Sequence, residues 1–200
     1  MALTKSVAAV DEWAPIAQNA VREGATTDVS GCYEAALHID VALSTTAVAH
    51  TGTKTIIQVT SNTTGDEDWS DFMQIVGPTG TANSEAITND PLAAASTTAT
   101  VASTTGYVAD GVLPIFILDG TVANSELCLL VSAVADTSLT WLDGTTNEHA
   151  VSTVIFNVVE SFVIALPMYA NRVRVIYDNT YDVDGSTVHT KCRISKVTAV

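Results

Sequence analysis

The chain has 200 residues and a formal net charge of −14, with 8 Lys and Arg against 22 Asp and Glu. That length buries a sizeable core, as one large domain or two small ones, and the excess acid excludes general binding to nucleic acid or to anionic membranes, both of which require cations. Only 15% of the residues are charged, and the wealth of Thr, Ser, Ala and Val is that of short strands joined by polar turns rather than of helices.

Residues 1–30 form an N-terminal arm or short helix. Val10 to Arg22 places Trp13, Ile16, Ala17 and Ala20 at helical spacing, with Pro15 tolerable only near the start. The start of the chain has no apolar signal run, and no segment reaches the length of a membrane span. The expectation is a soluble protein made in the cytoplasm, without a cleaved signal. From Gly31 the pattern is that of strands. Tyr33, Ala35, Leu37 and Ile39 alternate with their neighbours, and Lys54 to Thr60 and Trp69 to Val76 follow. An acidic loop, Asp66, Glu67 and Asp68, precedes Trp69, whose indole is expected to cap the sheet edge.

Residues 77–96 read as a linker rich in Gly, Pro and Asn. Beyond them, Thr98–Val101, Leu113–Leu118, Leu127–Val134 and Ser138–Leu142 are short strands separated by turns at Thr105-Gly106, Asp119-Gly120, Ala135-Asp136 and Asp143-Gly144. So many short strands in so few residues predict a small barrel or roll that closes its own edges. Longer strands resume at Val154–Val158 and Ser161–Leu166. The expected architecture is all-β: an antiparallel β-sandwich from residues 31–85 and 154–200, with a small β-barrel inserted at 92–153.

The end of the chain reads as a β-hairpin from Asn171 to Ile194. Its arms are Asn171–Tyr177 and Thr187–Ile194, joined through a polar connection. Alternation gives it an apolar face (Val173, Val175, Tyr177 with Val188, Cys192, Ile194) and a basic face of Arg172, Arg174, Lys191 and Arg193. Residues 1–153 hold 18 acidic and 3 basic side chains, whereas residues 154–200 hold 4 and 5. The four cations are therefore candidates for docking on an acidic patch of a neighbouring subunit, an assembly that salt would weaken. The competing reading pairs them with acids of the same subunit, each exposed pair worth about 0–1 kcal/mol.

Other constellations are weaker. Asp178, Asp182 and Asp184 are a weak candidate for calcium, as are the acids around residue 67, but neither run has the spaced calcium-loop pattern. Trp69 and Tyr181, beside these acids, are weak candidates for stacking on a sugar. His38, His50, His149 and His189 show no metal-binding spacing, and there is no GxSxG, GxGxxG or P-loop. Cys32, Cys128 and Cys192 show no CxxC spacing and are expected as buried or half-buried free thiols, with one disulfide as the alternative. No cofactor is implied.

Three blocks carry a resemblance: Thr97 to Gly106; Ala123 to Glu126 with Val131 to Val134 and Thr137 to Gly144; and Arg172 to Thr180. Together they resemble poorly characterised structural proteins of tailed bacteriophages, over about residues 30–200. The resemblance implies a virion component without enzymatic role, on the capsid, neck or tail, whose partners are copies of itself and other virion structural proteins. It brings no catalytic residues. The alternative function is a carbohydrate- or receptor-binding β-module, such as a tail adhesin using Trp69, Trp141 or Tyr181.

Overall fold

A computed structural model describes residues 2–46, 49–65, 68–107, 112–180 and 186–199. The fold is all-β. In chain order the strands are β1 (Leu3–Ile16), β2 (Val21–Glu23), β3 (Thr27–Asp28), β4 (Cys32–Leu43), β5 (Thr53–Thr60), β6 (Ser70–Gly77), β7 (Ser84–Ala86), β8 (Thr98–Thr100), β9 (Leu113–Leu118), β10 (Glu126–Val134), β11 (Ser138–Trp141), β12 (Val154–Phe156), β13 (Val159–Ala165), β14 (Arg172–Asp178) and β15 (Val188–Ala199). The only helical element among the described residues is a 3-10 turn at Val122–Asn124.

Two sheets face each other. One has the order β1-β15-β4-β13, the other β2-β14-β5-β6, with β3 also paired to β14, and every pairing is antiparallel. The period of two explains the packing. In β14 Val173, Val175 and Tyr177 are buried while the residues between them are half-buried. In β4 and β15 Leu37, Ile39, Val41, Val188, Cys192 and Ile194 point into the same core. Each such side chain removed from water contributes roughly 1.5–3 kcal/mol.

The third sheet has the order β7-β12-β9-β10-β11-β8. It curls around a separate core of Ile115, Ile117, Leu130, Leu139, Trp141 and Ile155. Its first and last strands meet: Ile87 bridges Val101, and the Thr88 N–H donates to the Thr100 carbonyl at 2.9 Å. This contact uses backbone groups that an open sheet would leave unpaired. Phe116 leaves the curl and packs on the outer face of the four-stranded sheet, its ring 4.6 Å from that of Trp13 and 5.5 Å from that of His189.

Three expectations are corrected. Val10–Arg22 is not a helix: residues up to Ile16 continue β1, and Val21–Glu23 is β2. Register shifts between Ala9 and Asp11 and between Asp11 and Ala14 displace the alternation. Trp13 and Ile16 are both buried, three apart, on opposite faces of a bulged strand, and so imitate helical spacing. Nor is Asn171–Ile194 a hairpin. β14 pairs with β5, β2 and β3, whereas β15 pairs with β1 and β4. The two arms stack across the core in different sheets, because both need to bury an apolar face and the connection between them is long enough to cross the ~10 Å between packed sheets. The stretch read as a linker contributes β7, which adds to β12. The three cysteines are free thiols, Cys128 and Cys192 buried and Cys32 half-buried.

Candidate functional site

Because β14 and β15 lie in opposite sheets, the four predicted interface cations fall into two separate pairs. Arg172 and Arg174 lie on the outer face of the β2-β14-β5-β6 sheet. Arg174 donates from Nε to Gln58 Oε1 at 2.8 Å and pairs through Nη1 with Glu23 Oε1 at 2.5 Å. Arg172 donates to the Gly65 carbonyl. Both guanidinium groups lie over the half-buried Trp69 ring, 4.4 Å (Arg174) and 5.3 Å (Arg172) from its centroid, a cation–π arrangement. Lys191 and Arg193 lie on the outer face of the other sheet, paired with Glu12 at 3.0 Å and Asp40 at 3.1 Å. Asp40 is 6% exposed and also accepts from the Ser161 hydroxyl at 2.7 Å.

Lys191 and Arg193 border a cleft of about 420 Å³ between this sheet and the curled one, shared with Trp13, Asp40, Ser125 and Glu126. Next to it is the best-built polar cluster among the described residues. His149 is fully buried; Nδ1 lies 2.9 Å from Asp119 Oδ2 and Nε2 lies 2.6 Å from Glu126 Oε1. The backbone N–H groups of Thr146 and Asn147 donate to Glu126, at 2.7 and 3.2 Å. Burial opposes the imidazolium, but the hydrogen bonds to Glu126 and Asp119 and their charges outweigh it and raise the His149 pKa above its ordinary value. Burial likewise opposes the Glu126 carboxylate, and the bonds from His149, Thr146 and Asn147 overcome it, lowering that pKa. The arrangement is a buried imidazole clamped by two acids, which favour its protonated form. It ties the β9–β10 connection to the segment before β12 and leaves neither ring nitrogen for a metal. The sequence hid it, since His149 lies 30 residues from Asp119 and 23 from Glu126 along the chain, with a strand pair between them.

His189 behaves in the opposite way. Burial, together with the nearby Arg22 charge, lowers its pKa to about 4, so the ring under Phe116 is neutral. Burial pushes the Cys128 and Cys192 thiols up to about 12. Among the described residues no group of three or more His, Cys, Asp and Glu is placed to hold a metal. Asp178 closes a local turn, its Oδ1 accepting from the backbone N–H and the hydroxyl of Thr180. Asp182, Asp184 and Tyr181 lie outside the described residues, as do Asp66 and Glu67. Trp141 is 1% exposed, in the core of the curled sheet, and its Nε1 donates to the Ser96 carbonyl at 2.9 Å.

The less obvious feature is an edge. β1 has a strand on one side only among the described residues, and Leu3–Ala9 are all exposed. Around this outer half, the sheet face carries Leu3, Val7 and Val163, each at least 60% exposed, beside a groove of about 600 Å³ lined by Lys5, Ala36, Ala165, Met168 and Val197. The signal was present in the sequence as an acid-free, Ala- and Val-rich run, but the helical reading of the residues after it concealed the strand.

No helix among the described residues is long and apolar enough to cross a membrane. No protein-family model matches the chain, and no curated protein is similar enough to count as a relative. Among solved structures, VP17, a capsid protein of bacteriophage P23-77, aligns over 100% of this chain and 99% of its own at 10% identity and a TM-score of 0.21, a likeness too slight to establish a shared fold.

Proposed function

We propose that the chain is a non-enzymatic structural subunit of a phage particle, on the capsid or at the head–tail junction or tail, and that it works through contacts with neighbouring subunits. The observation that carries this reading is the outer half of the β1-β15-β4-β13 sheet, with its exposed edge strand and exposed apolar side chains. A sheet built this way is a surface for another chain. The resemblance of residues 97–106, of 123–126 with 131–134 and 137–144, and of 172–180 to phage structural proteins supplies the kind of particle.

The state of the reactive groups supports the absence of catalysis. Both nitrogens of His149 are engaged, His189 is neutral beneath an aromatic ring, and the Cys128 and Cys192 thiols are far from forming thiolates at neutral pH. The adhesin alternative gains no support from Trp141, which is buried, or from Trp69, which is stacked with guanidinium groups.

The test is the composition of purified particles. The chain should be present at a fixed copy number and be located by antibody labelling on the shell, neck or tail. Its absence from intact particles would sink the proposal.

A further inference from the structure

The outer half of β1 reaches further than assembly in general. Leu3 to Ala9 pair with Ala199 to Arg193 without a register shift, so this stretch is a regular strand whose other side has no partner among the described residues. Alternate N–H and C=O groups on that side form a template for another strand. Proteins blunt such edges with Pro, bulges and charges. In β1 those devices are concentrated in the inner half: both register shifts, Asp11, Glu12 and Pro15. The outer half has Lys5 alone.

Charge points to the occupant. Two copies that each carry −14 repel over most of their surfaces, but residues 2–10 contain no acid and one lysine. An antiparallel strand pair related by a two-fold axis is the closed arrangement a strand makes with itself. Centring it on the regular stretch puts the axis at Ser6. Leu3 then faces Ala9 of the second copy, Thr4 faces Ala8, and Lys5 faces Val7. No like charges stand directly opposite, and the small side chains permit close approach. The exposed Leu3 and Val7 of the two copies would lie on one continuous face.

We infer that β1 is a self-pairing strand, which joins the four-stranded sheets of two copies into one continuous sheet across a two-fold axis at Ser6. This rests on the structural-subunit reading and names its partner as a second copy of the chain. The register makes it testable by charge. Val7→Lys places a lysine opposite Lys5 of the other copy, and since Val7 is 60% exposed the fold has no reason to change.

The experiment is sedimentation of the full chain over a range of concentrations, with circular dichroism to confirm that each variant is folded. The wild type should sediment as a dimer. Val7→Lys should weaken dimerisation about tenfold, as like charges directly opposite do, and Lys5→Glu combined with Val7→Lys should restore it. In a Cys32→Ser background, Ser6→Cys should cross-link two copies on mild oxidation, while Thr63→Cys in an exposed loop should not. A monomeric wild type would overturn the inference. So would a dimer indifferent to Val7→Lys whose Ser6→Cys variant fails to cross-link, or one that cross-links Ser6→Cys to Ser161→Cys on β13 instead. Failure here with the chain present in particles leaves the structural reading intact. A Ser6 cross-linked dimer absent from particles leaves the pairing and sinks that reading.

Discussion

His149 sits between Asp119 and Glu126, and His189 lies beneath Phe116; both are buried, and protons act on them with opposite sign. The folded pKa of His149 is raised, so its contribution is full below the unfolded value of about 6.5 and is lost as pH rises through the folded value. Glu126 has a lowered pKa, so its contribution holds above the ordinary carboxylate range and is lost as pH falls through the folded value. His189, lowered to about 4, favours the neutral ring. Its contribution is present above the unfolded value and is lost as pH falls from there toward 4, a change on the order of 3 kcal/mol. Removing one partner of a buried pair costs about 3–5 kcal/mol. His149→Ala should therefore destabilise by about 3 kcal/mol near pH 6, with the deficit shrinking on the alkaline side. His189→Gln should reduce the loss of stability between about pH 6.5 and 4. Urea unfolding across that range measures both; parallel pH profiles for wild type and variants would show that neither ring titrates with folding.

At the scale of elements, alternation made the strands legible and left their partners hidden. The runs at Leu113–Leu118 and Ser138–Trp141 stand where their β-branched and aromatic residues place them. β14 and β15 alternate as read, but the pattern records only which face is apolar. It does not distinguish a neighbour in the same sheet from one stacked across the core, and so the four cations appeared to share a face. In β1 two bulges broke the period that would have revealed the strand. The His149 clamp had no local signature, because the β9–β10 connection and the segment before β12 meet only after the sheet has curled. The contact that brings the curled sheet onto its neighbour is equally non-local: Trp13 from β1 against Phe116 from β9, with ring centroids 4.6 Å apart. Trp13→Ala and Phe116→Ala should each cost about 3 kcal/mol. The double variant should lose less than the sum, since the second truncation removes a contact already gone. Strictly additive losses in thermal unfolding would show that the two rings stabilise the fold independently.

At the scale of the whole molecule, the sign of the salt response separates two modes of assembly. Docking through a basic face onto acidic patches requires cations that are available, and such contacts weaken as ions screen them. Lys191, Arg193 and Arg174 each have an acid of their own chain at 3.0, 3.1 and 2.5 Å, and the two pairs of cations point away from each other. What remains unbalanced is the net −14 of each copy. Pairing through the acid-free half of β1 relies on backbone hydrogen bonds and apolar contact, while the charge elsewhere opposes it. Screening shortens that repulsion, from a range of about 10 Å at 0.1 M salt to about 3 Å at 1 M. Self-association of the full chain should therefore tighten several-fold between about 0.05 and 0.5 M salt. Sedimentation equilibrium at the two ionic strengths measures it. A dimer that loosens instead would return the interface to Arg172, Arg174, Lys191 and Arg193, with their internal pairs exchanged for acids of the neighbour.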